Sequence, residues 1–210
     1  MHNDRSVSKS VIARLPRYYR FLCAMEAEGV DRVSSGELSR RMSLTASQIR
    51  QDFNCFGCFG QQGYGYNVTQ LRRSLGQIIG IDSHYRIILI GAGNMGRAVC
   101  QHMDFAGRGF DLIGVFDADP EKIGKELREL PILPESELEA FCKSSGPMAA
   151  ILCVPDQAAR DLAGRLVACG IRYFWNFTHY AVQEDFPDVY SENVHLNDSL
   201  MKLCFNITND

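Results

Sequence analysis

Apolar residues recur along the chain with two different periods, and the change of period divides it into two parts. Val11, Leu15, Tyr18, Leu22 and Met25 fall three and four apart, the mark of one helix face packed on a core. Pro16 interrupts the run, so the regular helix is expected to begin there, with proline in its first turn and Gly29 as its stop. Ser34-x-x-Glu37 and Thr45-x-x-Gln48 each fit a capping box. They place helix starts near residues 35 and 46, with a short turn at 42–44 between them. Helix, tight turn, helix is the pattern of a helix-turn-helix, here spanning residues 17–56, from Arg17 to Phe56. Its second helix would display Ser47, Gln48, Arg50 and Gln51, side chains suited to base edges and phosphates. The alternative for that face is an ordinary solvated helix surface. Gly57, Gly60, Gly63 and Gly65 then alternate with Phe56, Phe59, Tyr64 and Tyr66, which reads as a small β-hairpin, the wing of a winged helix. Val68, Leu71, Leu75, Ile78 and Ile79 return to helical spacing and stop at Gly80.

Beyond residue 82 the apolar residues come in short solid runs. Ile87–Ile90 reads as a buried strand that enters Gly91-Ala92-Gly93-Asn94-Met95-Gly96 and then a helix. In that setting Gly91 permits the tight turn, Gly93 lets a pyrophosphate approach the backbone, and Gly96 lets helix and strand pack closely. The helix start offers N–H groups and partial positive charge to phosphate. A second strand, "FDLIGVFDADP", ends at Asp117, 26 residues after Gly91. A carboxylate there accepts ribose hydroxyls and repels a 2′-phosphate, which favours NAD over NADP. "MAAILCVP" (148–155) and "IRYFWNF" (171–177) are further strands, separated by an amphipathic helix over 156–170. Strands alternating with helices predict a doubly wound parallel sheet, with Val154 at the ligand-binding end of its strand. In the tail, Val194, Leu200, Leu203, Cys204 and Ile207 keep helical spacing after the sheet is complete, so this face seeks a partner.

Charge reinforces the division. Residues 1–82 carry eleven Lys/Arg against seven Asp/Glu, whereas residues 83–210 carry eleven against eighteen, within a net charge of −3. A basic first part suggests a polyanionic partner. No apolar run approaches the roughly 18 residues of a membrane span, and MHNDRSVSKS lacks the apolar core of a secretory signal. The eight cysteines are expected to stay reduced, and a cytoplasmic location is expected. Cys55-x-x-Cys58 has no second such pair and no His pair for a metal, and it does not open a helix as a redox motif would. The five histidines show no metal or triad spacing, and the residues after 177 are too few for a substrate domain. No catalytic residue and no metal site is therefore expected. Three functions stay open on these grounds: a nucleotide-responsive DNA-binding regulator, a small NAD-dependent enzyme, and a nucleotide- or coenzyme-A-binding module without DNA contact.

The blocks "RLPRYYRFL", "SSGEL", "QIRQDFNCFGCFGQQGYGY", "IGAGNMGRA", "GVFDADPEKIG", "ILCVP", "WNF" and "ENVHLNDSL" together resemble, in order, the Rex family of bacterial redox-sensing repressors. The resemblance implies an α/β chain with three parts. These are a winged helix-turn-helix DNA-binding domain (1–80), a Rossmann NAD(H)-binding domain (81–193) and a C-terminal dimerisation helix (194–210). It implies a homodimer on an inverted-repeat, double-stranded operator that NADH releases, with the helix over about 196–207 swapped between subunits. It implies that Arg20 links the DNA-binding part to the nucleotide domain. It places Phe105 where some members carry a tyrosine near the nicotinamide, and His195-Leu196 where some carry Asp-Phe. Gln62 stands where many members have a basic minor-groove residue in the wing, and Gln51 replaces a frequent lysine.

Overall fold

The computed structural model describes residues 7–57, 60–61 and 64–209. They form two compact units, Met1–Asp82 and Ser83–Asp210.

In the first unit, helix α1 (Lys9–Ala27) is followed by strand β1 (Arg32–Val33), helices α2 (Ser35–Met42) and α3 (Ala46–Asn54), strands β2 (Gly60–Gln61) and β3 (Gly65–Asn67), and helix α4 (Val68–Ile79). The strands make an antiparallel sheet in the order β1-β3-β2. Each helix begins where a side chain accepts an otherwise unpaired first-turn N–H: Ser8 from Val11, Ser34 from Glu37, Thr45 from Gln48 and Asn67 from Gln70. The helix starts at 35 and 46 are those the capping boxes imply. The start of α1 is different. It lies at the Ser8 cap, and Pro16 sits inside the helix. Proline there removes only the bond to the Ile12 carbonyl, and Ile12 lies on the exposed side, where water can take that bond. Burial of Val11 and Leu15 in front of Tyr18, Leu22 and Met25 outweighs the lost hydrogen bond. Gly29, with φ of 74°, closes α1. Val30 N–H reaches Met25 O at 2.9 Å and Gly29 N–H reaches Glu26 O at 3.0 Å, the paired bonds of a left-handed helix stop. One apolar cluster, from Leu15 and Tyr18 through Leu38, Ile49 and Phe53 to Leu71 and Leu75, joins α1, α2, α3 and α4.

The second unit holds strands β4 (Tyr85–Ile90), β5 (Phe110–Asp117), β6 (Glu126–Leu127), β7 (Leu130–Pro134), β8 (Ala149–Leu152), β9 (Tyr173–Asn176) and β10 (Tyr190–Asn193). Its helices are α5 (Asn94–His102), α6 (Leu138–Ser145), α7 (Asp156–Ala168), α8 (Val182–Asp185) and α9 (Leu196–Asn209). The sheet order is β10-β9-β8-β4-β5-β7-β6, parallel except where β6 pairs antiparallel with β7. The chain starts in the middle at β4, winds outward through β5 and β7, then crosses to β8. The order therefore reverses at β4/β8, the place where such sheets bind nucleotides. Side-chain alternation accounts for the two layers. Ile88, Ile90, Phe116, Ala150, Leu152 and Phe174 pack with Leu138, Leu162 and Leu166 on one face. Ile87, Leu89, Val115 and Ile151 pack with Val99 and Cys100 of α5 on the other. Helix α9 has no buried residue, and Leu196, Leu200, Leu203, Phe205 and Ile207 lie exposed along it.

Candidate functional sites

The first candidate surface is built on α2 and α3. Ser43 adopts the left-handed conformation that ends α2, and two bonds fix the turn: Ser39 Oγ donates to Leu44 O at 2.5 Å and Arg17 Nη2 donates to Met42 O at 2.5 Å. Arg17, within the expected DNA-binding stretch, thus braces the turn. Helix α3 is oriented by its inner face. Ile49 and Phe53 enter the core, and between them Asp52 is buried to 2% exposure. Its carboxylate takes Arg14 Nε at 2.7 Å and Nη2 at 2.8 Å, and the Tyr18 hydroxyl at 2.6 Å. The Asp52 carboxylate and burial together hold the Tyr18 phenol far above its ordinary pKa. With this face anchored, helical geometry turns Ser47, Arg50 and Gln51 outward, with Gln48 half-buried beside them. Arg50 Nη1 donates to Ser35 Oγ at 3.0 Å, which spans the two helices at the surface. Strand β3 is tied in by Arg32 Nη1 donating to Tyr64 O at 3.1 Å. Arg20 is exposed on α1. Gln62 and Cys58 lie outside the described residues, and Cys55 is exposed with its thiol 3.4 Å from Gln51 O.

The second candidate is at the carboxyl edge of the parallel sheet. Gly91 leaves β4 with φ of 96°, and its N–H donates to Phe116 O at 2.8 Å. A Cβ on Gly91 would collide with the Cys153 carbonyl, and one on Gly96 would collide with Gly91 O. These two glycines therefore serve backbone packing. Gly93 is different. Its φ is an ordinary −75°, and a Cβ there would meet nothing within 4 Å. It stands at the N-terminus of α5, and no side chain caps that helix. Open space directly above uncapped N–H groups of Asn94, Met95 and Gly96 suits a pyrophosphate. Val154, at the end of β8, faces the turn, with Cγ1 2.9 Å from the position of a Gly91 Cβ.

Asp117 ends β5 beneath this loop. Its Oδ2 accepts Ala92 N–H at 2.7 Å and its Oδ1 accepts Asp119 N–H at 2.8 Å. The carboxylate thus holds the glycine turn in shape. Lys122 Nζ stands 3.2 Å from Oδ2 and 3.4 Å from Oδ1. Gly91, Ala92, Gly93, Asn94, Met95, Gly96, Asp117 and Val154 are brought together at this edge.

Phe105 is not placed there. It is buried beyond the end of α5, under Arg128, whose guanidinium lies 5.3 Å from the ring centroid. It lines a cavity of about 800 Å³ with Tyr85, Phe110, Tyr173, Trp175 and Tyr190. Those residues begin or line the amino ends of the strands, so this cavity is at the edge opposite the glycine loop. The physical reason is the direction of α5, which carries the chain from the carboxyl edge back to the amino edge before Phe105.

Sequence reasoning missed Asp52, Arg14, Lys122, Arg128 and a pair of imidazoles, His179 and His195, with ring centroids 5.3 Å apart. The partners of Asp52 lie 34 and 38 residues away, and no local pattern announces them. Lys122 had a signal, an ammonium five residues beyond the ribose carboxylate. Among the described residues no group of three or more His, Cys, Asp or Glu could hold a metal ion, and no helix is long and apolar enough to cross a membrane.

Comparison with known proteins bears on both surfaces. The family described as "Putative DNA-binding protein N-terminus" matches residues 6–54, and the family described as "CoA binding domain" matches residues 82–180. The redox-sensing transcriptional repressor Rex of Caldicellulosiruptor saccharolyticus is 44% identical over 207 residues, covering 99% of this chain and 94% of its own. That of Clostridium perfringens is 43% identical, covering 98% and 96%. The crystal structure of RSP in complex with β-NAD⁺ and operator DNA superposes with a TM-score of 0.90 at 44% identity, over 97% of this chain and 93% of RSP. The complex of RSP with β-NADH also gives 0.90, at 41% identity, over 98% and 96%.

Proposed function

We infer that this chain, which belongs to the Rex family of redox-sensing transcriptional repressors, binds operator DNA through its first unit and is released when NADH occupies its second. The observation that carries the reading is the open position at Gly93 over an uncapped helix start, with Asp117 bound to the same turn. That is a phosphate cradle with a ribose carboxylate beside it. In this reading Gly91, Ala92, Gly93, Asn94, Met95, Gly96, Asp117 and Val154 hold the dinucleotide. Ser47, Gln48, Arg50 and Gln51 meet the major groove, and the wing with Gln62 meets the flanking backbone. The operator places the protein in the cytoplasm.

The chain acts as a regulator and not as an enzyme, because its second unit is one sheet with its helices and brings no separate substrate domain. NAD⁺ and NADH differ by one positive charge and by the planarity of the nicotinamide ring. A ligand shifts an equilibrium only through differential affinity for its two states. The residues able to convert that difference into DNA release are those that link two copies. We assign that role to the segment 194–210. Its helix α9 exposes an apolar face, and the cavity at the amino edge offers a concave apolar surface of matching kind. A second copy of this chain fits both. Arg20 is assigned the link between the DNA-binding and nucleotide-binding parts. A dimer presents two α3 helices to half-sites about 34 Å, or a multiple of that, apart, and a small rotation between subunits breaks the match.

The test is a gel-shift series on inverted repeats from the organism's own promoters, with NAD⁺ and NADH in parallel. Binding that NADH abolishes and NAD⁺ does not is the expected result. Absence of binding to any inverted repeat, or binding indifferent to NADH, overturns the reading.

A further inference from the structure

An unscreened carboxylate at Asp117 would exclude any nucleotide with a phosphate on its adenosine ribose. The carboxylate seen here is not unscreened. Its side chain is 9% exposed, and its two oxygens already accept the Ala92 and Asp119 N–H groups. Lys122 Nζ lies 3.2 and 3.4 Å from those oxygens and 3.3 Å from Asp119 Oδ2, bridging the two acids. The Lys125 ammonium also acts on Asp119, holding its carboxyl below the usual range together with the Glu121 N–H and Lys122. Two carboxylates therefore face two ammonium groups, and the local field is near neutral where a lone Asp117 would make it negative. Lys122 is the more accessible partner, with 29% of its side chain exposed against 9% for Asp117.

Geometry places this ammonium where a ribose phosphate would be. In a sheet of this kind the carboxylate at the end of the second strand meets the ribose hydroxyls of the adenosine. A group 3.2 Å from that carboxylate is within reach of a phosphate ester on the same sugar. A lysine is well suited to this, since its ammonium is a compact charge on a flexible stem and can swing from one anion to another. Of the two partners that anchor Asp117, the Ala92 and Asp119 N–H groups remain when Lys122 turns away, so the glycine turn keeps its shape.

We propose that Lys122 is a specificity-determining residue that lets this pocket accept adenosine nucleotides bearing a ribose phosphate, as in NADPH (2′) or coenzyme A (3′). The proposal rests on the reading of this edge as the dinucleotide site. Lys122 exchanges Asp117 for the phosphate when such a ligand enters, and returns to Asp117 when NADH is bound. The pocket then discriminates less between NADH and NADPH than an isolated acidic residue would.

The test is calorimetric titration of the full-length protein with NADH, NADPH, coenzyme A and 3′-dephospho-coenzyme A, for the native chain, Lys122→Met and Lys122→Arg. NADPH is expected to bind the native chain within about tenfold of NADH. Lys122→Met is expected to weaken NADPH at least about tenfold more than NADH, with Lys122→Arg restoring most of the loss. The NADPH affinity should also fall faster with added salt than the NADH affinity, since it contains one more exposed charge pair. Coenzyme A binding tighter than dephospho-coenzyme A, with the difference lost in Lys122→Met, is support from the second source of the same chemistry. If NADH binds and neither ribose phosphate raises affinity in a Lys122-dependent way, the proposal is overturned. If NADH itself does not bind, the dinucleotide reading fails first, and this proposal fails with it.

Discussion

Replacing Asp52 by alanine should dismantle the DNA-binding unit and leave nucleotide binding intact. The magnitude follows from the three partners of the carboxylate. Arg14 reaches it with two nitrogens at 2.7 and 2.8 Å, and the fully buried Tyr18 hydroxyl reaches it at 2.6 Å. Removing one member of a buried ion pair costs about 3–5 kcal/mol, because the other charge stays buried without compensation. Arg14 keeps 20% of its side chain exposed and can recover some hydration, which moves its share toward the lower end. The stranded Tyr18 hydroxyl adds about 1–3 kcal/mol. Small domains have about 5–15 kcal/mol in total, so a loss of about 4 kcal/mol leaves the unit marginal or unfolded. Urea denaturation followed by circular dichroism, with operator binding and NADH titration on the same preparation, measures all three quantities. The first unit should melt at much lower urea and operator binding should fail, while NADH affinity stays within about twofold, since the second unit has its own two cores. A combined Arg14→Met, Tyr18→Phe, Asp52→Leu variant should recover much of the stability, because no polar group is then left unpaired. A loss below about 1 kcal/mol in Asp52→Ala would refute the idea that this buried carboxylate fixes the orientation of α3.

Three further outcomes are expected. Gly93→Val should fold normally, since its φ is ordinary and the new side chain meets no protein atom, yet it should weaken NADH by about a hundredfold or more through loss of two or so charge-assisted phosphate bonds; operator binding that still responds to NADH would contradict the pocket assignment. Arg50→Ala should weaken operator binding by about 1–3 kcal/mol with NADH affinity unchanged, and a fall of about 0.9 in the salt slope would identify a phosphate contact as opposed to a base contact. Burial pushes the thiols of Cys100 up to about 11 and of Cys142 and Cys153 up to about 12, which disfavours the thiolate, so at pH 8 these three should resist alkylation while exposed Cys55 reacts. The stability these buried thiols contribute is complete below the ordinary thiol pKa near 9 and is lost as pH rises through about 11 to 12. Peptide mass spectrometry after timed alkylation, and denaturation midpoints across that pH range, would check both statements.

The elements legible in the sequence were those whose signal is local. The caps at Ser34 and Thr45 act on N–H groups three residues away, so the starts of α2 and α3 can be read from a few letters. Strand β4 is buried on both faces, so Ile87–Ile90 appears as a solid apolar run. The glycines at 91, 93 and 96 could be assigned roles because each role depends on its immediate neighbours. By contrast, residues 121–147 carry no strong pattern, and the structure forms the β6–β7 hairpin and α6 there. Strand β6 has two residues, and only alternate positions of the β6–β7 hairpin are buried, at Leu127 and Ile132, too few for a periodic signal. Pro16 misled for a related reason. A proline reads as a break, and only the burial of Val11 and Leu15 keeps the helix continuous through it.

By itself the sequence determined the order of elements, the division near residue 82, the phosphate-binding turn and the outward set of side chains on α3, because periodicity, capping and glycine conformation act over a few residues. Only the tertiary structure decided which charges meet: Arg14 with Asp52, Lys122 with Asp117, and Phe105 under Arg128 at the edge away from the glycine loop. Such pairings depend on how helices cross and which end of a strand a connection returns to. Coulomb and hydrogen-bond energies fall off over a few ångströms in space and take no account of distance along the chain.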